Sequence, residues 1–110
     1  MLRCHLKDSH ALKPKGIGNV LECLPLATIR VEDLTQLSSI IGEAVHHVEG
    51  FWGEALTYSF SENEPIGTDY IIYTYRVFRS SDKSYLGSCR VVTHKNFVKS
   101  VICTISSSQR

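Results

Sequence analysis

Asp69, Tyr70 and His94 are the residues of this chain whose types best suit proton transfer. A carboxylate, a phenol and an imidazole gathered at one place can act as general acid and base. They are far apart in sequence, so the chemistry depends on a strand pairing that sets Tyr70 beside His94. Glu43, His46 and His47 offer metal-ligand types. On a helix Glu43 and His47 stand one turn apart and share a side. His46, however, points away from the apolar stripe, and neither HExxH nor another full ligand set is present. Cys4, His5 and His10 add further ligand types near the start of the chain, but no spacing links them to this group. The sequence therefore implies no metal and no cofactor. Cys89 and His94 do not form a catalytic pair, because alternation along one strand puts them on opposite faces. Gly16 and Gly18 form a G-x-G that leads into a strand, without the strand-turn-helix setting that dinucleotide phosphates require.

A different chemistry is suggested by Arg76, Arg90, Lys95 and Lys99, which interleave with Tyr70, Tyr73, Tyr75, Phe78 and Tyr85. Sheets bind single-stranded nucleic acid by stacking bases on aromatics beside basic groups. Against this, the ribonucleoprotein aromatic motif is absent and several of these rings fall on the predicted core face. Charge is also unevenly divided. Residues 1–69 carry ten acids and five bases, whereas 70–110 carry seven bases and one acid, Asp82. The acidic half would repel phosphate, and such asymmetry equally suits contact between unlike surfaces or simple interleaving within the fold.

These side chains must be positioned by elements, and the organising one is an amphipathic helix over 33–49. Leu34, Leu37, Ile41, Ala44, Val45 and Val48 recur at three- and four-residue steps. Asp33 with Gln36 forms a capping-box pattern at its start, and Gly50 marks its end. Phe51, Trp52 and Gly53 then read as an aromatic corner closing over the core. Strands are expected over 20–31, with Pro25 marking an edge or bulge, and over 54–61, 69–79, 85–95 and 98–106. In 54–61, Leu56, Tyr58 and Phe60 alternate onto the core face. Residues 62–67 read as a turn, and 1–15 as either a mobile arm or an edge strand. The whole chain, 1–110, is expected to form a single α+β domain with one helix on an antiparallel sheet of about five strands. The order of strand, helix and four-stranded meander resembles the outline of cystatin-like folds. The chain has no Gln-x-Val-x-Gly loop and no Pro-Trp hairpin, so the resemblance carries layout and not protease inhibition.

The five-residue loop between Arg79 and Tyr85 sets a register in which Ile72 faces Val92, Thr74 faces Arg90, Tyr75 faces Cys89 and Tyr70 faces His94. Odd positions then line the helix side: Ile71, Tyr73, Tyr75, Val77, Cys89 and Val91. Even positions place Tyr70, Ile72, Arg76, Phe78, Leu86, Arg90 and Val92 on the other side, where apolar area of this size calls for a cover. A second copy, the N-terminal segment or a ligand would each provide one. A single bulge would exchange the two faces beyond it. Cys89 falls opposite Cys103 if the last hairpin loop has three residues, and the pair is expected as buried thiols.

At 110 residues, 43% hydrophobic and 21% charged, with a net charge of +1, the chain has an ordinary globular composition. No apolar run reaches the ~18 residues of a membrane helix, and the start of the chain does not read as a signal peptide. Four cysteines without CxxC spacing make a cytoplasmic setting the expectation. The leading functional expectation is a small non-catalytic interaction or ligand-binding module that forms a homodimer through the even face. Its other partners would be a protein or an apolar small molecule. The alternatives are a small enzyme with a helix–sheet pocket using Asp69, Tyr70 and His94, and a single-strand nucleic-acid binder using the basic C-terminal strands.

Overall fold

The computed structural model describes residues 1–7 and 18–106. Its elements run β1 (Leu2–Lys7), β2 (Gly18–Pro25), α1 (Leu34–Trp52), β3 (Leu56–Ile66), β4 (Tyr70–Arg79), β5 (Tyr85–His94) and β6 (Phe97–Ser106). The six strands form one sheet in the order β1-β2-β6-β5-β4-β3, and every neighbouring pair is antiparallel. The α+β expectation holds, with one helix packed on an antiparallel sheet.

The strand count and the cystatin-like order do not hold in detail. Leu2–Lys7 is an edge strand, so the sheet has six strands and a β-hairpin precedes the helix. The rest of the N-terminal arm, with His10, and the tail from residue 107 lie outside the described residues. Strand β2 ends at Pro25 rather than continuing to 31. The chain then crosses the end of the sheet, pinned by hydrogen bonds from Val31 N to the Asn96 carbonyl and from Val98 N to the Ile29 carbonyl (2.8 and 2.9 Å).

The capping box forms as its spacing implied. Asp33 Oδ1 accepts from Gln36 N at 3.0 Å, and Gln36 Oε1 accepts from Asp33 N at 3.3 Å. The helix runs past Gly50, through the expected aromatic corner, and ends at Gly53. Gly53 adopts φ 71° and donates its N–H to the Glu49 carbonyl at 2.7 Å. Gly50 is helical here, since nothing in a helix forbids one glycine; only the left-handed residue that stops it needs to be glycine. The buried stripe is Leu37, Ile40, Ile41, Ala44, Val45 and Val48, whereas Leu34 in the first turn is exposed.

The stripe packs on one face of the sheet, where Leu21, Cys23, Tyr75, Val77, Cys89, Val91, Val101, Cys103 and Ile105 are buried. Strand β3 is longer than its alternation suggested, continuing through the acidic 62–66 to Ile66 after a bulge between Phe60 and Glu62. Leu56 joins the core, but Tyr58 and Phe60 remain 37% and 43% exposed on that face, touching Tyr75 edge-on. One helix does not reach across six strands, so the β3 edge is only partly covered.

Bulges set the remaining differences. Ile72–Val92, Thr74–Arg90, Tyr75–Cys89 and Tyr70–His94 pair as the loop length implied. Between Val77 and Phe78 the register shifts, leaving Leu86 as an extra residue in β5. Leu86, expected on the even face, is therefore in the core at 3% exposure. The last hairpin turns through Lys95 and Asn96, both at positive φ (53° and 70°), as in a two-residue type I′ turn. A second bulge, between Val92 and Thr93, then supplies the residue that brings Cys89 opposite Cys103.

The cysteines correct the expectation of buried thiols. Cys4 faces Cys23 and Cys89 faces Cys103 across adjacent strands, with Cα atoms 3.9 Å apart in each pair, and both pairs are joined as disulfides. Directly opposed antiparallel positions carry their Cβ atoms within bonding reach of two sulfurs.

Candidate interface on the open sheet face

With the helix on one side, the other face of the sheet is left to its own side chains. Cross-strand partners share a face, so the registers define rows that run from edge to edge. One row is His5, Glu22, Ile102, Arg90, Thr74, Glu62; a second is Lys7, Val20, Thr104, Ser88, Arg76, Ser59. A third runs Ser100, Val92, Ile72, Glu64. The centre of this face combines half-buried Ile72, Val92 and Ile102 with exposed Arg76 and Arg90. A hollow of about 560 Å³ opens there, bordered by Ile72, Ser88, Arg90, Val92, Ile102 and Thr104.

Of the residues singled out from sequence, Tyr70, Ile72, Arg76, Phe78, Arg90 and Val92 lie on this face, and Leu86 does not. The reading missed Ile102, Thr104 and Val20, which β6 and β2 bring alongside. It also missed the charged flanks, Arg3, His5 and Lys7 on β1 and Glu62 and Glu64 on β3. Extending the register argument one hairpin further, from Arg90 to Ile102, would have found the first of these. The edge-strand alternative for the start of the chain holds for Leu2–Lys7, but the local pattern does not say which strand it pairs with.

The charges have a definite layout. Glu22 lies 3.5 Å from His5 Nε2 and 3.6 Å from Lys7 Nζ. Arg3, Glu62, Glu64, Arg76 and Arg90 make no ion pair among the described residues. The face is thus basic along β1, acidic along β3, and apolar with two arginines between.

Asp69, Tyr70 and His94 do come together. His94 Nε2 is 4.0 Å from Asp69 Oδ2, and the Tyr70 and His94 rings lie 4.5 Å apart at 33°. The cluster sits at the end of the open face, away from the helix, and Tyr70 and Asp69 are each nearly half exposed. Next to it is a second hollow of about 520 Å³, bordered by Pro25, Ile29, His94, Lys95, Phe97 and Lys99. The arrangement does not exclude water from His94, whose side chain is 34% exposed.

Glu43, His46 and His47 do not converge. Glu43 accepts a hydrogen bond from Leu2 N at 2.8 Å, and His46 points to solvent, 3.5 Å from Glu49. No group of three or more His, Cys, Asp or Glu side chains able to hold a metal occurs among the described residues. At the β4–β5 turn Arg79 Nε donates to Glu54 Oε1 at 2.7 Å, which raises the guanidinium pKa above its ordinary value. Hydrogen bonds from Ser84 hold the Asp82 carboxyl below the usual carboxylate range, with Arg79 adding to the effect.

No helix among the described residues is long and apolar enough to cross a membrane. No protein-family model, no curated protein and no solved structure gives a significant match to this chain.

Proposed function

We propose that this chain is a small non-catalytic interaction module that self-associates through the open face of its sheet. The observation that carries this reading is the central strip of Ile72, Val92 and Ile102, with no element of the described chain laid over it. Three covers were conceivable from the sequence. Leu2–Lys7 extends the sheet at its edge, so this part of the N-terminal segment is not a lid. A second sheet fits the shape of what is left, because antiparallel sheets pack face to face about 10 Å apart with interdigitated side chains. The size is also suitable. Six strands ~4.8 Å apart, each offering about eight residues at ~3.3 Å, present a face on the order of 750 Å². Each partner in a stable complex buries about 800 Å².

The nucleic-acid reading is weakened by Glu22, Glu62 and Glu64, which share the face with Arg76 and Arg90. The enzyme reading asked for a helix–sheet pocket, whereas His94 lies on the side away from the helix. As for setting, two disulfides support an oxidising compartment over the cytoplasm that cysteine spacing suggested.

Light scattering across a concentration series, on wild type and Ile72→Asp, tests the proposal. A wild-type dimer that the aspartate converts to monomer supports it. A wild-type monomer at every concentration overturns it.

A further inference from the structure

The charges on the open face select between the two ways in which two such sheets can stack. An aligned face-to-face pair has its two-fold axis in the plane between the sheets, running either along the strands or across them. An axis across the strands lays each edge strand over its own copy. Glu62 and Glu64 of β3 would then meet the same two acids, and Arg3 and Lys7 of β1 would meet the same two bases. An axis along the strands, through the middle of the sheet between β6 and β5, lays β1 over the second copy's β3. The rows then superimpose end to end. His5 comes over Glu62, because both end the row through Arg90 and Ile102. Arg3 lies one alternation step from His5, as Glu64 does from Glu62, so Arg3 comes over Glu64. Glu22 of β2 comes over β4, where Thr74 is flanked by Arg76. Both acids of the β3 edge thus meet basic side chains of β1, while in the middle Ile102 comes over Arg90, Val92 over Ser100 and Ile72 over β2.

We infer that the second copy docks with its two-fold axis along the strands, the basic β1 edge of each copy lying over the acidic β3 edge of the other. This rests on the self-association reading above and adds what specifies the pairing. Like charges placed opposite one another across an interface disfavour the wrong arrangement, which is how electrostatics sets register. It also gives a role to side chains the fold itself leaves unused: Arg3, Glu62 and Glu64 are exposed and have no ion pair among the described residues.

Charge reversal tests it. Glu62→Lys with Glu64→Lys makes both edges basic, and Arg3→Glu with Lys7→Glu makes both acidic. For an axis along the strands, each double variant weakens the dimer about tenfold or more in low salt, and the fourfold variant carrying all four changes recovers wild-type affinity. For an axis across the strands, no set changes the affinity materially, because every form keeps like charge over like. Affinities come from sedimentation at low and at 0.5 M salt, with circular dichroism on each variant to establish folding. All four positions are exposed, and recovery in the fourfold variant cannot arise from misfolding. A wild-type dimer split by Ile72→Asp but indifferent to the double variants, or a fourfold variant that stays weak, overturns the inference and leaves the proposed function standing. A monomeric wild type overturns both.

Discussion

Gly87 sits beside the bulge in β5 at φ 156°, where a Cβ would come 2.1 Å from the Thr104 carbonyl oxygen. The obstacle is backbone of the neighbouring strand, so no rotamer change relieves it. Gly87→Ala is expected to cost at least ~2 kcal/mol in urea unfolding, through local rearrangement of the β5–β6 pairing. A second residue-scale outcome concerns Asp82, whose carboxyl is held low by Ser84 and Arg79. A depressed carboxylate contributes stability above its unfolded pKa of about 4, and the contribution is lost as pH falls through the folded value. Unfolding midpoints measured between pH 6 and pH 2 should therefore converge for wild type and Asp82→Asn at the acid end, with wild type the more stable at pH 6. At this scale the sequence was only partly legible. Tyr70 beside His94 could be read from a loop length, but Leu86 could not, because the extra residue that buries it leaves no mark in an alternating pattern.

Among elements, the helix start was readable because Asp33 and Gln36 are a local device. Asp33→Ala should lower stability by about 1 kcal/mol, measured by thermal or urea melts. The helix end was misread because Gly50 and Gly53 are equally good stops in isolation, and only packing chooses between them. Strand β3 looks shorter in sequence than it is because Glu62, Glu64 and Pro65 resemble a turn. In place they suit an edge strand, since charge and proline at an edge discourage unwanted pairing. The two disulfides connect neighbouring elements, β1 to β2 and β5 to β6, and close chain segments with sequence separations of 19 and 14 residues. Replacing Cys89 and Cys103 together by serine should destabilise the oxidised protein by roughly 3 kcal/mol. Reductant, which opens the Cys4–Cys23 bridge as well, should bring wild type at least as far down.

For the whole molecule, the acidic first part and basic second part of the chain do interleave, since β2 pairs with β6 between the two halves. What survives on the open face is a polarity the linear charge count does not predict. The basic edge comes from β1, at the start of the acidic half, and the acidic edge from β3. Sheet topology, not composition, created it. The proposed function places a second sheet over Ile72, Val92 and Ile102. Methyl NMR spectra recorded over a dilution series test this most directly, because they report both faces at once. The Ile72, Val92 and Ile102 methyls are expected to shift as the dimer dissociates, while Ile41, Val91 and Val101 on the helix side hold still. Methyls that do not shift on dilution, or shifts confined to the helix side, would contradict it.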